Sequence, residues 1–223
     1  MKKLLLPILC GAVALTSTLA ASGAYAGDGD GLRHYAVTIT NTTRGQILSP
    51  VAVIVHDDNY RLFSLGSPAS PELAMLAEEG SADMLLASAG GMHSVYKTAA
   101  ATGVLKPGAS ETVEIETNSR FSRISAAAML VSSNDAFMAV RDIEAPNRGN
   151  LAVDAIAYDA GSEANSENCA YVPGPPCGGH VHDPAPAEGY VYVHAGIHGI
   201  GGLTPSVYDW RGPVAHIEIK RID

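Results

Sequence analysis

Two short acidic segments carry the residues best suited to chemistry in this chain. Ser133–Phe137 reads Ser-Asn-Asp-Ala-Phe, and Tyr158–Glu163 reads Tyr-Asp-Ala-Gly-Ser-Glu. Each follows an apolar run, Ala126–Val131 in one case and Leu151–Tyr158 in the other. If those runs are strands ending at one edge of a sandwich, Asp135, Asp159 and Glu163 converge. Hard carboxylate oxygens on loops suit calcium, which takes about 6–8 oxygen ligands. Grouped carboxylates also repel one another unless a cation neutralises them. Oxygen-only sites have no diagnostic spacing outside known loops, so solvated turn acids are the rival reading.

Histidines form a second constellation. His180 and His182 stand two apart and face one way if the segment is extended. His194 and His198 follow within a glycine-rich stretch that disfavours a helix. Neutral imidazole ligates zinc, copper or nickel. The alternative function is therefore a periplasmic transition-metal protein or metalloenzyme using these four side chains. Against it, the chain lacks the helical His-Glu-x-x-His signature of metalloproteases, and it lacks a Gly-x-Ser-x-Gly nucleophile elbow.

Cys169 and Cys177 flank the turn-rich segment Ala-Tyr-Val-Pro-Gly-Pro-Pro. In an oxidising compartment an even pair is expected to bridge, with two free thiols as the other state. Export is expected because Met1–Ala26 reads as a signal peptide: Lys2 and Lys3, an apolar run, then Ala24-Tyr25-Ala26. Cys10 falls inside it. Removing these 26 of 223 residues leaves 197, enough for one domain over residues 27–223. Losing the two lysines leaves 12 basic against 23 acidic residues, a net charge of −11. Such a surface repels phosphate backbones, so nucleic-acid binding is not expected, whereas cation binding is favoured. No later apolar run reaches transmembrane length.

The elements that must position these groups are mostly strands. Tyr35–Thr40 alternates apolar and polar β-branched residues, and Ile47–His56, Glu111–Thr117, Arg123–Val131, Leu151–Tyr158, Tyr190–His194 and Val214–Ile222 read as further strands. Val95–Thr98 and Ala139–Arg141 read as short ones. Ser70-Pro71-Glu72 opens a helix with Leu73, Leu76 and Ala77 on one face and Gly80 as its stop. Ala82–Ala89 reads as a second short helix. The pattern predicts a mainly β chain, an antiparallel β-sandwich with a short helical insertion.

Several segments resemble the spondin N-terminal domain family. They are Tyr35–Thr40, the helix start Ser70-Pro71-Glu72-Leu73, the two acidic loops, and the ending with Gly196-Ile197-His198-Gly199 and Tyr208-Asp209-Trp210-Arg211-Gly212-Pro213. Ser133–Phe137 is similar to that family's Ser-Pro-Asp-Trp-Phe segment, and Tyr158–Glu163 to its Tyr-Asp-Ala-Gly-Thr-Asp segment. Ala136 stands where the family has tryptophan, and Glu163 where it has aspartate. The resemblance implies an antiparallel sandwich that binds calcium through Asp135, Asp159 and Glu163. The pair of acid-ended loops in an acidic exported β-protein, with no catalytic motif, leads to the expectation of a secreted, non-enzymatic module of adhesion or recognition, with an extracellular or cell-surface ligand. Animal members are extracellular-matrix and cell-adhesion proteins, and no motif here names a partner.

Overall fold

The computed structural model describes residues 31–223; the signal-peptide reading of Met1–Ala26, Cys10 and the boundary at Gly27 lie outside the described residues. Strands dominate. In chain order they are β1 (Arg33–Asn41), β2 (Ala52–His56), β3 (Val95–Ala100), β4 (Ser110–Thr117), β5 (Arg123–Met129), β6 (Ala136–Glu144), β7 (Asn150–Asp159), β8 (Tyr192–Val193) and β9 (Ala215–Arg221). The helices are α1 (Pro71–Glu79), α2 (Asp83–Gly90) and α3 (Pro205–Tyr208). All named strand pairings are antiparallel, in the order β3-β2-β5-β6-β7-β9-β1-β4, with β8 on β7.

β7 belongs to two sheets. Its first half, Asn150–Ala155, pairs with β9, and its second half, Ile156–Asp159, pairs with β6. The ladder therefore folds over at β7 into two facing layers, as strands that switch sheets do at a sandwich corner. Tyr35, Val37 and Ile39 of β1, Ile217 and Ile219 of β9, Val53 and Val55 of β2, and Met138 of β6 fill the space between them. The outer face of β2, β5 and β6 is not left to water. Leu73, Leu76 and Ala77 of α1 and Leu85 and Ala89 of α2 cover Ile54, Ala127 and Phe137 there. Strands buried on both faces need no alternation. That is why β2 and β5 read as continuous apolar runs while β1, exposed on one face, alternates.

Local chemistry sets the helix bounds. Ser70 Oγ accepts the Leu73 N–H at 3.2 Å, Pro71 occupies the first turn, and Gly80 ends α1 with φ 69°. β6 extends well past the short segment expected at Ala139–Arg141. Asp142, at φ 55°, makes a bulge opposite Ser125, and its N–H donates to Ser125 Oγ at 3.2 Å. Conversely, the expected strand over Ile47–His56 begins only at Ala52. Before it, Leu48 makes isolated bridges to Leu105 and Leu130.

His56 is fully buried on β2. Its Nδ1 donates to the Asp57 carbonyl at 2.7 Å, so Nε2 accepts from Ser125 Oγ at 2.8 Å. Burial lowers its pKa, and Arg123 adds to this, against the Asp57 carbonyl hydrogen bond and the charges of Asp142 and Asp57. The unfolded chain thus binds this proton more tightly, and the stability contribution is complete above the unfolded pKa of about 6.5 and lost as pH falls below it. His56→Asn is expected to flatten the loss of stability between pH 7.5 and 5.5. Urea midpoints for both proteins at each pH check this, and parallel pH slopes would contradict it.

Candidate metal centre

The β5–β6 turn is closed by a single hydroxyl. Ser133 Oγ donates to the Leu130 carbonyl at 2.6 Å and accepts the Ala136 N–H at 3.1 Å. This aims Asp135 inward just before β6 begins. Because β6 and β7 run antiparallel, Ala136 faces Asp159 across the ladder, and the Ala160 N–H donates to the Asp135 carbonyl at 3.2 Å. The start of one strand and the end of the other therefore bring both acids to one edge of the sandwich.

Both carboxyl groups are fully buried. Asp135 Oδ2 accepts the Ser162 N–H at 2.8 Å, the Ser162 hydroxyl at 3.2 Å and the Glu163 N–H at 3.0 Å. Asp159 Oδ1 accepts the Gly161 N–H at 2.7 Å, and Oδ2 accepts from the Asn165 amide. Asn165 in turn donates to Tyr192 Oη at 2.9 Å. The two carboxyls lie close enough for each to act on the other's titration. Burial first, and then the charge of Asp159, push Asp135 up to about 8, against the hydrogen bonds from Glu163 and Ser162. Asp159 is raised as well, chiefly by burial.

One oxygen of this pair, Asp135 Oδ1, is buried without a hydrogen-bond partner. Among the described residues five buried side-chain polar atoms are in that position, and three belong to these two loops: the oxygens Asp135 Oδ1 and Glu163 Oε2, and the amide nitrogen Asn134 Nδ2, a donor that cannot ligate a cation. Orphaned groups are costly and few in native proteins. Their concentration at one end of the sandwich points to something these loops are built to meet. The free oxygen, its two-carboxylate setting and the oxygen-rich neighbours form a donor set that fits a hard divalent cation.

Glu163 has a different neighbourhood. Its main-chain N–H holds Asp135, but its carboxylate faces His182 and Glu78. The four histidines also divide. His180 and His182 line one cleft with Glu78 and Glu163, whereas His194 and His198 line a cavity of about 160 Å³ with Asn134, Asn165, Glu167 and Tyr192. His194 Nδ1 accepts the Gly196 N–H at 2.9 Å, so its Nε2 donates to Asn165 Oδ1 at 3.0 Å, leaving no free lone pair for a metal. Burial, followed by the charge of His198, pushes His194 down to about 4 and keeps it neutral.

The family model for the spondin N-terminal domain (Spondin_N) matches residues 34–171. The chain belongs to this family. The match takes in β1 through β7 and both acidic loops of this spondin domain, and it ends between its two loop cysteines. A comparison with curated proteins gives no match.

Cys169 and Cys177 of the spondin domain form a disulfide, with Cα atoms 4.7 Å apart. Within the bridged loop the Gly174 N–H donates to the Val131 carbonyl at 2.8 Å, and Ser132 Oγ donates to the Pro175 carbonyl at 2.6 Å. The loop is thereby fastened to the same β5–β6 turn that carries Asp135. Two more acids lie near the centre: Glu167, close enough to the Asp159 loop in sequence to be a candidate shell member, and Glu78, which no sequence signal links to it. Glu167, at φ 52°, accepts the N–H groups of His198, Gly199 and Ile200 and so shapes the cavity. Glu78 lies in α1, 104 residues from His182. No spacing rule links residues so far apart.

Proposed function

We propose that this spondin domain is an exported calcium-binding module that acts by adhesion or recognition at an extracellular or cell-surface ligand, and not by catalysis. The observation that carries the reading is the buried Asp135–Asp159 pair with one oxygen left unpartnered. Asp135 and Asp159 would supply carboxylate oxygens, and the loop around Asn165 further oxygen donors. Calcium would cancel the repulsion between the two acids and so lock the β5–β6 turn to the end of β7. Burial of both acids favours a structural ion over a reacting centre, because a substrate has no direct access to either carboxyl. An acidic chain with formal charge −9 suits the cation as well.

Export is supported by the character of Met1–Ala26 and by the disulfide, a bond that persists in oxidising compartments. Among the described residues no helix is long and apolar enough to cross a membrane.

Binding to the folded state alone stabilises by about 2.7 kcal/mol at a hundredfold excess of ligand over Kd. For a domain of this size that raises Tm by roughly 5–10 °C. The test is a pair of thermal melts, one in EGTA and one in millimolar calcium. Superimposable curves would sink the calcium reading.

A further inference from the structure

Glu78, Glu163 and His182 come from three separate parts of the chain. Glu78 lies in the last turn of α1, Glu163 follows β7, and His182 lies beyond the disulfide loop. One ligand-competent atom of each lies within 4.8 Å of the other two. His182 Nδ1 is 2.8 Å from Glu163 Oε1 and 3.2 Å from Glu78 Oε2. Donor atoms held tetrahedrally by zinc at about 2.0–2.2 Å stand roughly 3.3–3.5 Å from one another. The His182 imidazole therefore needs only a small shift away from each carboxylate to admit an ion. They line a cleft of about 10 Å³, and His180 lines it too. That is room for about one water-sized body.

An ordinary ion pair would account for these groups if every oxygen were satisfied. Glu163 is only 2 % exposed, and while its Oε1 accepts the Asp183 N–H at 2.8 Å, its Oε2 is buried with no partner. The Glu78 charge works against the charge of Glu163, and the group facing both is an imidazole more than half exposed. Two carboxylates against one imidazole leave excess negative charge even when the imidazole is protonated. A divalent ion balances the two carboxylates and takes the lone pair of neutral His182. Carboxylates alone would suit calcium or magnesium; adding imidazole shifts the preference to zinc, nickel or copper.

We propose that Glu78, Glu163 and His182 form a second metal site, for a borderline divalent ion of the zinc type, with His180 at the same cleft. The ion would clasp α1 to the loop after β7 and to the segment beyond the disulfide. This site adjoins the Asp135–Asp159 pair, since the Glu163 N–H donates to Asp135 Oδ2, but Glu78 and His182 belong to it alone, so variants at those two side chains test it separately from the calcium reading.

Cobalt(II) is the probe, followed by visible absorption in the full chain purified without a histidine tag and kept in calcium-replete buffer. One saturable equivalent, displaced by zinc, is expected. His182→Ala and Glu78→Gln should each weaken binding by at least about tenfold. His182 is an exposed side chain, so its calcium-dependent melt should match that of the parent protein. His198→Ala, in the other cavity, should leave cobalt affinity unchanged. The proposal is overturned if no saturable binding occurs, if both site variants bind as tightly as the parent, or if His198→Ala abolishes binding.

Discussion

Asp135→Asn is expected to make the calcium-free protein more stable and, in the same step, insensitive to calcium. Removing a charge from a buried partnership usually destabilises, because the other partner is left uncompensated. Here the partner is another acid, so the sign reverses. The asparagine carbonyl can go on accepting the Ser162 and Glu163 N–H groups that now reach Asp135 Oδ2. Its amide then replaces the orphaned Oδ1 and can donate toward Asp159. Satisfying one buried orphan and removing an acid that folding must either protonate or hold against Asp159 should stabilise by on the order of 1–3 kcal/mol. That corresponds to a rise in Tm of roughly 2–10 °C in EGTA. Calcium should then add nothing, since one of two carboxylates is gone. Calorimetry of parent and variant, each with EGTA and with calcium, measures both effects. A variant that melts below the parent in EGTA would show that the two acids do not strain the empty centre.

The second large effect falls on a residue with no side chain. Gly161 sits at φ 64°, where its N–H reaches Asp159 Oδ1, and its carbonyl accepts the Gly189 N–H at 2.8 Å. A Cβ there would lie 2.6 Å from the Tyr190 nitrogen and 2.8 Å from its carbonyl carbon, and closer still to the carbonyl oxygen. These are backbone atoms, so no rotamer change relieves the clash; the segment before β8 must move. Gly161→Ala is expected to cost on the order of 3–5 kcal/mol. Gly66 provides the control. It also has positive φ, 77°, but nothing lies within 4 Å of its Cβ position. Gly66→Ala should cost only the conformational penalty, about 1 kcal/mol. Urea unfolding of the two variants separates close approach from backbone preference, and equal losses would refute the packing argument.

The sandwich was legible where pattern and burial coincide. β1 alternates because one face meets water, and α1 announces itself through Ser70, Pro71 and Gly80. β6 is longer than its pattern suggests because Arg141 and Asp142 interrupt its apolar run. Asp142 forms the bulge, and the Arg141 guanidinium lies over the Phe63 ring at 4.3 Å. Tyr190–His194 has the alternation of a longer strand than the structure forms. Only Tyr192 and Val193 pair with β7, and the His194 imidazole is taken up by Gly196 and Asn165. Asp135 and Asp159 could be placed together from sequence because two apolar runs each end in an acid and neighbouring antiparallel strands bring such ends side by side. Which way Glu163 points could not be read the same way. That depends on Glu78 arriving from a helix on the outer face, and on His182 arriving from beyond the disulfide.

β7 gives the two layers a shared seam. Asp159, at one end of this strand, sits in the acid pair, while Asn150, at the other, is hydrogen-bonded into the far sheet. A load applied to either layer passes along one continuous backbone to the other. The halves therefore cannot slide like stacked plates; peeling them apart requires tearing the seam that β7 forms between them.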